Sequence, residues 1–252
     1  MIRIGLLGCG NVGHVIARHT EIVPVAAVYD TVESRANEIG EMCGASVYHD
    51  FPAFIEGDFD LVVEAASVEA VRRYAGEVLV HGKDLVILSV GALADPEFKQ
   101  QLSETARRAG RRIYIPSGAI IGLDNLKIGQ IAEIRNLVLR TTKSPASLGI
   151  EAHRKMLVFK GTAYDCIRHF PKNINVAVAL ELAAGREADV ELWVDPDIDR
   201  NMHEVIAEGE FGEIHITVKN TPSPDNPATS YLAALSVLTL LKNLDNPIVI
   251  GT

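Results

Sequence analysis

Cysteine is scarce: the 252 residues hold only Cys9, Cys43 and Cys166. They are odd in number, far apart, and form no Cys-x-x-Cys pair, which argues against a disulfide framework and against a zinc site. Positive charge is in deficit. Lys and Arg total 24 against 33 Asp and Glu, a formal net charge of −9, which disfavours a general nucleic-acid or anionic-membrane surface. Long apolar runs are missing too; none approaches the roughly 18 residues of a membrane span. The opening MIRIGLLGCG lacks the charged leader, apolar stretch and cleavage site of an export signal. There is no internal repeat and no low-complexity tract. What is present is an ordinary globular balance, 48% hydrophobic and 23% charged. The length suits one large domain or two modest ones, with a sizeable core. The expectation is a cytoplasmic protein with reduced thiols.

The first motif follows at once. IRIGLLG is a short apolar run that reads as a buried parallel strand. Gly8, Gly10 and Gly13 follow as Gly-x-Gly-x-x-Gly, and from Asn11 the pattern turns helical. A second apolar run, VPVAAVYD, ends in Asp30. Glycines between strand and helix, with an acid about 20 residues on at the end of the next strand, are the context a dinucleotide fingerprint requires. Gly8 permits the tight turn, Gly10 lets backbone approach a pyrophosphate, and Gly13 lets helix and strand pack closely. Asn11 and Val12 open the helix whose free N–H groups face the phosphates. Asp30 suits the ribose hydroxyls and repels a 2′-phosphate, so NAD is expected, with NADP possible. Glycine turns with a surface Asp also occur in α/β proteins that bind nothing, but here all the parts agree.

Strand and helix keep alternating through FDLVVEAAS, EAVRRYAGEVLVHG, DLVILSVGAL, DPEFKQQLSETARRAG and RRIYIPSGA. Asp95 reads as a helix cap with Pro96 in the first turn, and Gly82 as a helix stop. Residues 1–116 therefore read as a Rossmann-type doubly wound parallel sheet. The strand ends, Ala65, Ala66 and Ser67, Ser89 to Gly91, and Ser117 to Ala119, are expected to line the cofactor crevice; plain turns are the alternative for each.

After residue 116 the texture changes. NLVLRTTKS, KMLVFKG, ADVELWVDP, MHEVIAEGEF and EIHITVKN read as strands, with helices at TAYDCIRHF and NINVAVALELAA. Residues 117–228 are thus expected to form a substrate-binding, catalytic and dimerisation domain of α+β type on a mixed sheet. A polar loop, TPSPDNPATS, leads to YLAALSVLTLLKNL, a C-terminal helix placed within 229–252 and expected to rejoin the first domain. The class is α/β overall. In HFPKNINVAVAL, Lys172, Asn173 and Asn175 sit at the start of an apolar helix, as a helix cap or as a cofactor and substrate contact.

Two histidines fall in strand-like runs. In GEIHITVKN, His215 alternates with Ile214 and Ile216 and shares a face with Glu213, Thr217 and Lys219, the mark of a solvent side. His203 follows the polar DPDIDRN loop, beside Asn201, and shares a face with Val205 and Ala207. That places an ionisable ring at the edge of an apolar surface, as a catalytic base or as a half-buried strand histidine.

GLLGCGNVG, IPSGAIIGLD, FPKNINVAVAL, DPDIDRNMHEV and SPDNPATS, in this order, resemble the L-aspartate dehydrogenases over nearly the whole chain. The resemblance implies NAD(P)-dependent oxidation of L-aspartate to iminoaspartate, which hydrolyses to oxaloacetate and ammonia or feeds quinolinate synthesis for NAD. It implies a homodimer. It makes His203 the catalytic histidine and Ala119 and Asn175 cofactor contacts, with Asn173 the fallback. Two departures are Val178 and Ala228, the latter where the family often has a basic residue. No metal is needed for this chemistry. A dicarboxylate substrate asks for local positive charge; Lys172 is the first candidate, with Asn173 and Asn201 beside it and Lys143 or Arg140 the next basic residues. The alternative is a related two-domain enzyme acting on another amino acid or imine, of the homoserine dehydrogenase or dihydrodipicolinate reductase type. A non-catalytic NAD-binding regulator is the reading from another class.

Overall fold

The computed structural model describes residues 2–170, 175–224 and 226–251. The chain divides into two compact units, Met1–Pro116 with Ala234–Val249, and Ser117–Ala233 with Ile250–Thr252.

The first unit holds a six-stranded sheet in the order β3-β2-β1-β4-β5-β6, parallel throughout. Its strands are β1 (Ile4–Leu7), β2 (Val25–Tyr29), β3 (Ser46–Tyr48), β4 (Leu61–Glu64), β5 (Asp84–Ile87) and β6 (Ile113–Tyr114). Every residue of β1 and β4 is buried, because the central strands of a parallel sheet are covered on both faces. The helices α1 (Asn11–Ala17), α2 (Glu33–Cys43), α3 (Phe51–Ile55), α4 (Val68–Val80) and α5 (Pro96–Ala109) connect them. This is the Rossmann-type arrangement, with its strand order reversing at β1 and β4.

Local chemistry explains the helix ends. Ser67 caps α4 by accepting from the Ala70 N–H, and α4 buries Val71, Tyr74, Ala75, Val78 and Leu79. The Asp95 carboxylate accepts from the Glu97 and Phe98 N–H groups, with Pro96 first in α5. Two expected strands are shorter than their apolar runs. In DLVILSVGAL only Asp84–Ile87 is strand; Val90–Ala94 turns as a buried 3-10 helix, because the chain has reached the crest of the sheet and must cross over. RRIYIPSGA contributes only β6, which pairs on one side alone, with β5. Residues 32–55, which carry no strong sequence signal, form α2, β3 and α3.

The second unit is built on a mixed sheet ordered β11-β10-β7-β9-β8. The strands are β7 (Ile134–Lys143), β8 (Met156–Gly161), β9 (Asp189–Val194), β10 (Met202–Gly209) and β11 (Gly212–Lys219). Only β7 and β9 pair parallel. One face carries Leu137, Leu139, Val190, Val205 and Ala207 into a core with Cys166 of α8 (Ala163–His169) and Ala177 and Leu180 of α9 (Asn175–Ala184). Short α6 (Leu123–Leu126) adds Leu126 to this core, and α7 (Pro145–Leu148) follows β7 with no buried residue. The opposite face is polar: Arg140 bonds Glu191 at 2.9 Å and approaches Glu204 at 3.7 Å, and Lys160 joins Glu191 at 3.3 Å.

TPSPDNPATS, expected as a loop, contains a small hairpin of β12 (Pro222–Ser223) and β13 (Asn226–Ser230). The final helix, α10 (Tyr231–Leu244), is shorter than the 229–252 span: Thr229 and Ser230 finish β13, and the helix stops at Leu244. From Ala234 onward it counts with the first unit.

Candidate active site

In the first unit the glycine motif adopts the geometry its spacing implies. Gly8 has φ +104°, and a Cβ there would come within 2.7 Å of Ala65 and Ala66 backbone atoms. A Cβ on Gly13 would lie 2.6 Å from the Gly8 carbonyl oxygen, so only glycine lets α1 sit this close to β1. Around Gly10 nothing lies within 4 Å of an added Cβ, which leaves that side open to an approaching group. Asn11 and Val12 open α1. Asp30 follows β2, and its carboxylate accepts from the Cys9 N–H and the Val32 N–H, each at 2.7 Å. It therefore ties the glycine loop to the β2–α2 turn. A crevice of about 150 Å³ is lined by Gly8, Asp30, Ala66, Ser67, Arg73 and Tyr74 among others. Cys9 is buried beside it, and burial together with the Asp30 charge pushes its thiol up to about 12.

Glu64, which no motif singled out, is almost fully buried at the end of β4. Its carboxylate accepts from the Ala66, Leu88 and Ser89 N–H groups at 2.9, 3.2 and 2.9 Å and from the Ser89 hydroxyl at 2.8 Å. Burial pushes its pKa up and these donors pull it down. Ser89, expected at the crevice, thus turns its hydroxyl to Glu64, while Ala65 and Ala66 sit on the turn that Glu64 pins. The clue in the sequence was an acid ending the apolar run DLVVE.

In the second unit His203 lies on β10, 5% exposed, deeper than the edge position its spacing suggested. It pairs with Thr141 of β7 and Val218 of β11. Its Nδ1 is 2.9 Å from the Thr141 hydroxyl. Burial, and then the nearby charge of Lys143, push its pKa down to about 3. Lys143 is half-buried, and burial pushes it down to about 8. His215 is exposed on the polar face of β11, bonded to Glu213, as its alternation indicated.

Around the start of β10 the chain converges. The Asn220 N–H donates to the Asn201 carbonyl at 2.8 Å, and the Asn220 side-chain amide donates to the Ala119 carbonyl at 2.9 Å. The Ser230 hydroxyl donates to the Asn220 side-chain oxygen at 2.7 Å. Asn220, 3% exposed, is the hub. Asn201, Asn220, Ser144 and Ser230 line a polar cavity of about 30 Å³. So the structure brings Ala119 and Asn201 together through a residue that sequence reasoning passed over; its only signal was a polar residue ending a strand. Asn175 is the first residue of α9. Lys172 and Asn173 lie outside the described residues. Arg140 belongs to the ion-pair face opposite His203. Among the described residues no group of three or more His, Cys, Asp or Glu is placed to hold a metal, and no helix is long and apolar enough to cross a membrane.

Comparison with known proteins separates the two halves. Residues 8–116 match the family described as homoserine dehydrogenase, NAD binding domain, so this half is of a widely shared type. Residues 124–244 match the family described as aspartate dehydrogenase, C-terminal. The L-aspartate dehydrogenase of Methanospirillum hungatei is 60% identical over 252 residues, covering 100% of both chains. That of Methanothermobacter thermautotrophicus is 43% identical over 256 residues, covering 100% of this chain and 99% of its own. The crystal structure of aspartate dehydrogenase from Thermotoga maritima shares the fold with a TM-score of 0.82 at 29% identity, and 100% of each chain is covered. With full-length identity this high, and with the second half, where His203 lies, matching one specific family, the chain belongs to the L-aspartate dehydrogenase family.

Proposed function

We propose that the protein oxidises L-aspartate to iminoaspartate with a pyridine nucleotide, His203 serving as the general acid–base. The observation that carries this reading is a buried histidine held by Thr141 on the sheet face that also carries Leu139 and Val205. The glycine loop fits a dinucleotide: a left-handed Gly8, a close approach at Gly13 and an open side at Gly10. Gly8, Gly10, Asn11, Val12, Gly13, Asp30, Ala65 and Ala66 would hold it from the first unit, with Ser89 supporting the turn through Glu64. Ala119 and Asn175 remain proposed cofactor contacts, as the family resemblance implies. When bound, the nicotinamide accepts the hydride from the substrate Cα.

The chain's own residues manage the proton. In the tautomer that donates Nδ1–H to the Thr141 hydroxyl, Nε2 keeps its lone pair. Burial holds the free ring neutral, and Nε2 accepts a proton from the substrate ammonium as the carbon is oxidised, a transfer that needs the proton affinity of the ring to rise in the bound complex. After that proton passes to solvent, the same nitrogen takes a proton from the water that adds to the imine and returns it to the departing nitrogen, giving oxaloacetate and ammonia. Asn201, fixed by its backbone bond to Asn220, orients the substrate, and Lys172 and Asn173 remain proposed substrate contacts.

NAD is proposed as the preferred cofactor because Asp30 lines the crevice. Arg73 lines it too and would soften the discrimination, so NADP is accepted as a poorer cofactor. We assign cofactor binding to residues 1–116 with the C-terminal helix, and substrate binding, catalysis and homodimer formation to residues 117–228. A cytoplasmic role in supplying iminoaspartate for quinolinate and pyridine nucleotide synthesis is part of this proposal. The test is NADH oxidation with oxaloacetate plus ammonia, set against other keto acids, and aspartate oxidation set against homoserine. Turnover of homoserine but not aspartate, or NADH binding without any turnover, rejects the reading.

A further inference from the structure

Lys143 ends β7, two residues beyond Thr141. Alternation along the strand puts Leu137, Leu139, Thr141 and Lys143 on one face. That face carries Val190 and Leu192 of β9 and His203 and Val205 of β10, by the register Leu139–Val190, Thr141–Leu192 and Thr141–His203. Its partner on β9, Val194, continues the inward-facing series Val190 and Leu192. Lys143 is therefore an ammonium on the inner, apolar side of the sheet, at the end where the polar cavity begins with Ser144.

Its neighbours offer it no acid. Glu191 and Glu204 lie on the other face and are engaged by Arg140 and Lys160. Asp195, just past the β9 residue that pairs with Lys143, approaches Lys155 at 3.8 Å. Among the described residues Lys143 takes part in no ion pair. A half-buried ammonium without a counterion costs stability, and such groups concentrate where a ligand supplies the missing charge.

We propose that Lys143 is the cationic seat for a carboxylate of the substrate, on the same sheet face as His203. This rests on the aspartate reading above. It adds a consequence: a seated carboxylate cancels the Lys143 charge at His203, so substrate binding raises the proton affinity of the base just when it must accept a proton. In a chain of net charge −9, a dianionic substrate needs such a local cation.

The experiment compares the unaltered enzyme with Lys143→Met and Lys143→Arg, each saturated with NADH. Lys143→Met should raise the KM for oxaloacetate and the inhibition constant of succinate about 10- to 100-fold, the effect of losing one charge-assisted hydrogen bond. NADH affinity should stay unchanged, and Lys143→Arg should recover most of the lost succinate affinity. If succinate and oxaloacetate affinities are unchanged while kcat falls, Lys143 is not a carboxylate seat. Should Lys143→Met not fold, NMR of the labelled lysines in the unaltered protein decides: succinate should move the Lys143 titration to higher pH, and an unmoved midpoint overturns the proposal. An unaltered enzyme that fails to turn over oxaloacetate and ammonia rejects the aspartate reading itself, whereas normal turnover with a succinate-insensitive Lys143 rejects only this seat.

Discussion

Thr141 and His203 face each other across the β7–β10 ladder, hydroxyl to Nδ1 at 2.9 Å, both buried. A neutral imidazole has one donor and one acceptor nitrogen, so the partner of Nδ1 decides what Nε2 can do. Thr141→Val keeps the shape and removes the hydroxyl. It should lower kcat about 10-fold, the worth of one hydrogen bond, with NADH affinity unchanged. Thr141→Ser should restore most of the rate. Equal rates for valine and threonine would mean that the bond does not orient the base.

The two strand histidines should behave differently. His203→Ala should cut kcat by about 10²-fold or more, the usual worth of a general acid–base, with NADH binding and folding retained. His215→Ala removes an exposed residue bonded to Glu213 and should leave kcat within a few-fold. The measurement is steady-state kinetics on both variants beside thermal melts. Similar rates in the two variants, or a loss in His203→Ala explained by unfolding, would remove His203 from the mechanism.

Asp30 has two tasks, facing the crevice and anchoring the Cys9 and Val32 N–H groups. Asp30→Ala should therefore raise the Kd for NAD about 10-fold while leaving that for NADP unchanged or lower, since a carboxylate no longer repels the 2′-phosphate. Fluorescence titration with NADH and NADPH reads both. Matching losses for the two cofactors would assign Asp30 to the loop alone.

His203 also makes stability depend on pH. Its folded pKa, about 3, lies below the unfolded value of 6.5, so between these values the unfolded chain binds the extra proton. The stability of the neutral buried ring is complete above 6.5 and is lost as pH falls toward 3. At pH 5 the loss from this group is about 2 kcal/mol. Urea melts at pH 7.5 and pH 5 should show it in the unaltered protein and not in His203→Asn. An equal loss in both would place the acid sensitivity elsewhere.

Much of this protein was decided by local pattern. Gly8, Gly10 and Gly13 between two apolar runs, Asp95 and Pro96 opening α5, and the alternation that turns His215 outward are all short-range. Each depends on backbone conformation or a period within one element, so the order of residues is enough. The same holds for the continuous apolar runs of β1 and β4, whose burial on both faces leaves no polar position until Glu64. Apolar runs do not say where a strand stops, so DLVILSVGAL hides the 3-10 turn at Val90–Ala94, and the polar, proline-rich TPSPDNPATS hides the short strands of the hairpin ending at Ser230.

Tertiary structure alone decided the site. Thr141 meets His203 only because β7 and β10 pair in one register across 62 residues, and neither strand's pattern contains that register. Asn220 joins Ala119 across 101 residues, and Glu64 reaches Ser89 from the neighbouring strand. Lys143 looks like any surface lysine until β9 and β10 close on either side of its strand and leave it on the inner face. Periodicity assigns a residue to a face of its own strand; which groups meet it there, and with what charge, is fixed only when strands distant in sequence are brought within hydrogen-bond reach.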